Sequence, residues 1–530
     1  MSAKIRSRRA IRKGKRECER ARRRCLAREL TRRKNRIERR LDKTKLGDCS
    51  RPMLAASNIH YEVSNKIQGL ACGGIGSMHQ LALDLELPQT IDRQLKLLKL
   101  HLPYHESDHV LNLAYNALAG GRCLEDLELR RQDESYLNAL GARRIPDPTT
   151  AGDFCRRFTA TEIRVLQDLI NDTRRKVWAR QPAAFLRRAT IDMDGVLVET
   201  TGECKQGMDI SYQGIWGYHP LVVSLAETGE VLNLLNRSGN RPSHEGAADE
   251  ADRAIALCQG AGFLQVLLRG DTDFTQTKHL DRWDADSRIR FIFGVDAMPN
   301  LHVLADDLGA APWQRLVRPP RYEVRTTPRN RPENVKERIV RERQFENQRL
   351  ESEDVAEFEY RPTVCAKSYR MVVVRKNIAV ERGEKRLFDD YRYFFYITND
   401  RQSTAAEIVF CANDRCNQEN LNAQLKGGVR ALTAPLDTLE SNWAWMVMTA
   451  LAWNLKAWWA LLLPETPGRW HDQHVEEKRC VLRMEFRTFV NAFMMIPCQI
   501  LRTGRRIVYR LLAWNQWQPV FFRLQSVLRC

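Results

Sequence analysis

The spacing of apolar residues changes period several times along the chain. Between residues 66 and 182 it is helical. His79–Leu87, Ile91–Leu100, Asp108–Leu118, Cys123–Leu129 and Val165–Val177 each gather their apolar positions on one face. Gly120-Gly121 punctuates the third and fourth of these, and Asp147-Pro148-Thr149-Thr150 has the chemistry of a helix start. From Ala189 the period falls to two. Thr190–Val198 sets Ile191 and Met193 on one face and Asp192 and Asp194 on the other. Tyr212–Leu225 and Val231–Leu235 continue as strands across the turn Glu227-Thr228-Gly229-Glu230. Glu245–Leu257 is helical again, and Leu264–Leu268 is an apolar strand ending at Arg269-Gly270-Asp271. Strands, a helix and a further strand in this order predict a mixed α/β sheet.

Further on, Ile289–Val295, Val355–Val364, Ser368–Val374 and Tyr391–Ile397 read as strands of a β-rich insertion, with a charged, proline-containing stretch over 318–354 that is extended or mobile. Leu436–Leu463 is a tryptophan-rich helix. Its apolar part, Trp443–Leu463, is long enough for a membrane span, but Asn454 and Lys456 favour a buried core helix, so no membrane partner is expected. Residues 478–530 read as amphipathic helix with a basic cluster of Arg502, Arg505, Arg506 and Arg510. The expected division is a basic, disordered or part-helical arm over 1–50, a helical domain over 51–185, an α/β core over 186–288 plus 410–465, the insertion over 289–409, and a helical basic C-terminal region over 466–530. The helical domain suits DNA binding or plain support, and no recognition helix stands out.

Charge sharpens this division. The net charge is +19, but residues 1–50 hold 21 Lys and Arg against 6 Asp and Glu, which leaves only +4 for the rest. Such an arm can neutralise nucleic-acid phosphates; an upstream extension or a solubilising tail fits the same composition. The 14 cysteines form no Cys-x-x-Cys pair and no zinc framework. The N-terminus has no apolar signal core. Reduced thiols in a cytoplasmic protein are expected.

The chemistry concentrates in Arg415-Cys-Asn-Gln-Glu419-Asn-Leu-Asn-Ala-Gln-Leu-Lys426. At about 100° per residue, Arg415, Glu419 and Lys426 share an arc of roughly 40° on a helix. A carboxylate between two cations can hold a hard divalent cation while the cations hold phosphate. A solvated face with one ion pair has the same spacing. Asp194 on a strand and Asp271 just after one supply two further carboxylates. Adjacent strands with a helix packed over them could bring all three acids together. Two Mg²⁺ or Mn²⁺ ions about 4 Å apart would then suit phosphodiester chemistry. A helix or turn cap accounts equally for Asp271, and turn chemistry for Asp194 before Gly195. Asp192 is the rival to Asp194.

These residues, in this order, resemble the DDE transposases of bacterial insertion sequences, in the branch with a Tyr-x2-Arg-x3-Glu-x6-Lys signature. Arg415, Glu419 and Lys426 match it, and Ala412 stands at the tyrosine position. Asp194-Gly195 matches the first acidic motif, and Arg269-Gly270-Asp271-Thr-Asp-Phe274 the second. Gly214–Pro220, Arg237–Asn240 and Tyr393–Asn399 extend the likeness over roughly residues 70–515. The resemblance implies a ribonuclease-H-like core with the insertion between the second Asp and the Glu. It implies Asp194, Asp271 and Glu419 as catalytic metal ligands for two Mg²⁺ or Mn²⁺ ions, and phosphate contacts from Arg415 and Lys426. In relatives that form a hairpin, an aromatic in the insertion holds a flipped base, a role that would fall near Phe394. The implied partners are double-stranded DNA, as terminal inverted repeats and target, and a second copy on paired ends, in the bacterial cytoplasm at the nucleoid. A transposase-derived DNA-binding protein without chemistry, and a nuclease on the same core, remain open.

Overall fold

The computed structural model describes residues 2–42, 60, 67–101, 103–318, 347–381, 391–503 and 506–528. Their contacts divide the chain into two units: Met1–Arg180 with Gln424–Leu436 and Glu440–Cys530, and Gln181–Ala423 with Asp437–Leu439.

The first unit is mainly helical. Of the arm expected to be disordered or part-helical, Ser2–Leu41 is a helix, α1. Arg, Lys, Glu, Ala and Leu dominate it and no proline interrupts it, so intrinsic preference favours helix throughout. Leu26, Leu30, Arg33 and Ile37, at helical spacing, are its half-buried stripe, and Arg33 Nη1 donates to the Leu511 carbonyl at 2.7 Å. Residues 43–50 of that expected arm lie outside the described residues. The next two helices are Ile75–Asp84 and Leu87–Gln94; Glu86 takes a left-handed φ of 55° between them and Pro88 follows, which moves both boundaries from those expected. Asp147 caps Pro148–Cys155 by accepting from Thr150 N at 2.8 Å.

The tryptophan-rich helix is Leu439–Leu461, buried over almost its whole length. Trp459 Nε1 donates to Ser77 Oγ at 2.9 Å, and Lys456 Nζ donates to the Leu482 carbonyl at 2.8 Å. No helix among the described residues is long and apolar enough to cross a membrane. The C-terminal region is not wholly helical, contrary to expectation. Cys498–Thr503 and Arg506–Leu511 pair antiparallel, and Gly69–Leu70 adds a third strand. The reason is the period: Cys498 and Ile500 point inward while Gln499 and Arg502 do not, and β-branched Ile507 and Val508 favour extended chain. Arg502, Arg506 and Arg510 are exposed there; Arg505 lies outside the described residues.

The second unit is built on one mixed sheet of nine strands: β1 (Arg188–Gly195), β2 (Leu221–Leu225), β3 (Glu230–Leu235), β4 (Gln265–Gly270), β5 (Ile289–Val295), β6 (Gln314–Arg315), β7 (Asn347–Tyr360), β8 (Tyr369–Glu381) and β9 (Tyr391–Thr398), in the order β6-β7-β8-β9-β5-β4-β1-β2-β3. β1 runs parallel to β4, and β4 to β5, while β2 and β3 return antiparallel. Helix α2 (Ala247–Gly260) packs on β1 and β4. The strands expected of a separate insertion continue this same sheet, because β9 pairs with β5 (Phe395 opposite Val295, Thr398 opposite Ile292). Without β9 the free edge of β5 would expose unpaired backbone groups. An apolar cluster ties the two parts together, with Leu267 and Ile292 from the inner strands and Val355, Val372 and Val374 from the outer ones. It is sealed by Ile408 and Val409 of α3 (Ala405–Asn413). Of the stretch 318–354, residues 319–346 lie outside the described residues, and Asn347 onward is β7.

Candidate active site

The parallel pairing of β1 and β4 sets Asp192 beside Arg269 in register. Arg269 Nε and Nη2 each donate to one Asp192 carboxylate oxygen at 2.7 Å, and Nη1 donates to the Cys411 carbonyl at 2.7 Å. Both side chains are buried, with Asp192 only 1% exposed. Asp192 is therefore committed to bracing strand and helix. Two residues on, on the same face, Asp194 reaches the end of β1. A methyl group on the following Gly195 would come within 2.6 Å of His219 Nε2, so the chain there admits only glycine without rearrangement. The fold of the adjoining loop depends on Arg237, whose buried guanidinium donates to the carbonyls of His219, Pro242, Ser243 and Glu245.

Asp271 leaves the end of β4. It caps the short turn Thr272–Phe274, accepting from Asp273 N at 3.1 Å, so the capping role and a place at the site coexist. The two acids meet at Arg415. Its Nη1 lies 3.6 Å from Asp194 Oδ1 and donates to the Met193 carbonyl at 3.2 Å, while Nη2 donates to Asp271 Oδ2 at 2.8 Å.

The signature stretch is not one continuous helix, contrary to expectation. Arg415 sits in the turn between α3 and α4 (Cys416–Ala423), and Lys426 in the wider π-helical turn Gln424–Gly428. The uniform 100° step therefore fails at both ends. Lys426 falls in the first unit. Glu419 lies in the first turn of α4, is exposed, and makes no hydrogen bond or ion pair among the described residues.

Two further residues seat α4. Buried Gln418 bonds to Ser224 Oγ and donates to the Val222 carbonyl at 3.4 Å, and Asn422 Nδ2 donates to Asp194 Oδ2 at 2.6 Å. Sequence reading missed both. Their spacing of four on a helix was the signal, but amides at that spacing are too common to single out. Ala412, at the signature's tyrosine position, packs against the apolar cluster. Phe394, on β9, is exposed, with Lys376 Nζ 4.5 Å from its ring centre.

Burial pushes the Asp194 carboxyl up to about 6; the charges of Asp271 and Glu419 add to the rise and Arg415 opposes it. Burial also raises Asp271, with Asp273 adding and Arg415 opposing. The donors are hard oxygen ligands, and one guanidinium is shared between Asp194 and Asp271, leaving net negative charge, so the chemistry fits a divalent cation. The arrangement is not yet a coordination site. Among the described residues no three His, Cys, Asp or Glu side chains converge to hold an ion.

The family model described as "Transposase DDE domain group 1" matches residues 72–529. No curated protein matches the chain. Among solved structures, a piggyBac transposase synaptic complex with hairpin DNA is similar at 9% identity, over 81% of this chain and 82% of that one. The TM-score is 0.34.

Proposed function

The chain belongs to the group 1 family of transposase DDE domains, and from that premise we propose that it is a cut-and-paste transposase of a bacterial insertion sequence. In this reading it binds terminal inverted repeats, cuts DNA at the element ends and joins them to target DNA, as a homodimer on paired ends. The observation that carries the reading is the single guanidinium of Arg415 touching both Asp194 and Asp271, with the charge of Glu419 bearing on Asp194. The strand order β3-β2-β1-β4-β5, antiparallel then parallel, supports the ribonuclease-H-like core that the resemblance implies.

Asp194, Asp271 and Glu419 would hold two Mg²⁺ or Mn²⁺ ions, which when bound supply an activated nucleophile and stabilise the leaving oxygen. The remaining work falls to other residues. Asn422 orients the Asp194 carboxylate. Arg415 holds phosphate near the scissile bond, Lys426 is the second phosphate contact that the resemblance implies, and Phe394 offers a ring for an unstacked base. The exposed arginines of α1 neutralise DNA phosphates.

The test is incubation of the purified chain with Mn²⁺ and a duplex carrying the repeat that flanks its gene. Cut and joined products are expected. Cut ends without joined products would make it a nuclease, and binding without either a DNA-binding protein only. Deleting residues 2–42 should flatten the salt dependence of DNA binding; an unchanged slope would remove α1 from the interface.

A further inference from the structure

Each carboxylate oxygen of Asp194 and Asp271 already has a protein partner. Asp194 Oδ2 accepts from Asn422 at 2.6 Å and Asp271 Oδ1 from Asp273 N at 3.1 Å. The other two oxygens face Arg415, at 3.6 Å and 2.8 Å. The guanidinium stands between the acids, steadied by the Met193 carbonyl, and the exposed Glu419 carboxylate has no hydrogen-bond or ion-pair partner among the described residues. Metal–oxygen bonds of about 2 Å need the carboxylates to converge on one point, and a planar cation already lies between two of them.

We propose that Arg415 is the resident cation of the metal-free protein, and that it must swing off Asp194 and Asp271 before divalent ions enter. This rests on the reading of the three acids as metal ligands. A guanidinium that leaves carboxylates has a natural next partner in phosphate, which it binds with the same forked geometry. Arrival of the DNA backbone therefore frees the acids, and metal loading and DNA engagement strengthen each other by the same factor. The free protein holds metal weakly, which keeps the site inactive until DNA is in place.

The test is Mn²⁺ binding to the full chain without DNA, followed by the loss of the free-ion electron paramagnetic resonance signal. Arg415→Gln should bind Mn²⁺ at least about 10-fold more tightly than the wild type, equivalent to about 1.4 kcal/mol. Arg415→Lys keeps the charge but has a compact head that does not fork between two acids, and should bind with intermediate affinity. Equal affinity in all three proteins overturns the proposal. Tighter binding in Arg415→Gln with Arg415→Lys unchanged also overturns it, because charge alone, not occupation, would then be at work. A control separates this from failure of the metal reading itself. If Arg415→Gln combined with Glu419→Gln binds as tightly as Arg415→Gln alone, the ions sit elsewhere and the ligand assignment falls.

Discussion

Two acids two residues apart on one face of β1 meet arginines in opposite ways. Asp192 is sealed: two short bonds from Arg269, both partners buried, and the third arginine nitrogen bound to the Cys411 carbonyl of α3. Asp194 is held loosely. Arg415 is 3.6 Å away and is shared with Asp271, and the carboxyl is pushed up to about 6 by burial and by its acidic neighbours. The first pair uses its charges to join strands and helix. The second leaves its charges incompletely matched. A protein interior tolerates the first for structure; the second costs stability and makes sense where another cation is to be received.

The largest expected effect tests the open pair. Asp194→Asn, Asp271→Asn and Glu419→Gln should each remove DNA cleavage from a gel assay while end binding, read by mobility shift, stays near wild type. Thermal unfolding of Asp194→Asn should be no lower than wild type, since its ionised form is already disfavoured in the fold. Normal cutting by any one of the three removes it from the site. The sealed pair should respond in the other sense. Asp192→Asn leaves Arg269 buried and poorly paired, at a cost on the order of 3 kcal/mol in urea unfolding. Replacing both, Asp192→Leu with Arg269→Met, should recover much of that loss. If Asp192→Asn instead abolishes cleavage in a fully stable protein, the roles of the two acids are exchanged.

A subtler probe is Asn422→Ala, which frees Asp194 Oδ2 and should lower cleavage by about 10-fold through loss of orientation. Cleavage at the wild-type rate would leave Asn422 with a packing role alone. The last probe concerns a buried cation with no acidic partner among the described residues. Burial brings Lys456 down to about 7 from an ordinary 10.5, and among the described residues the Leu482 carbonyl is its hydrogen-bond acceptor. Between those values the unfolded chain binds the extra proton. Its contribution to stability therefore rises with pH from about 7 to about 10.5, by at most about 1.4 kcal/mol per pH unit, and is flat below. Lys456→Met should remove that slope in denaturant titrations at several pH values. An unchanged slope would place its origin elsewhere.

Much of the site was legible because its signals are local. The alternation at Thr190–Val198 and the apolar run ending at Arg269-Gly270-Asp271 declare strands without any knowledge of their neighbours, and the order of the acidic motifs identifies the family resemblance. What alternation does not say is which strand lies beside which. Asp192 and Asp194 are equivalent by period; only the register of β1 against β4 hands Arg269 to the first and leaves the second to Asn422 and Arg415. The same limit hid the continuity of β9 with β5, since edge pairing joins residues a hundred positions apart. It also hid the C-terminal hairpin, whose partner strand Gly69–Leu70 lies at the other end of the chain.

What the amino-acid order determined alone, then, is composition-level and periodic: the basic charge at the N-terminus, the mixed α/β character, and the identity of the residues available for chemistry. The tertiary structure decided how those residues are used. It turned the basic arm into a helix with one stripe laid down, broke the signature stretch at Arg415 so that its side chain reaches back to two strands, and supplied Asn422 to hold Asp194. The reason is physical: side-chain direction follows from local backbone geometry, whereas desolvation and charge pairing depend on what the rest of the chain packs alongside.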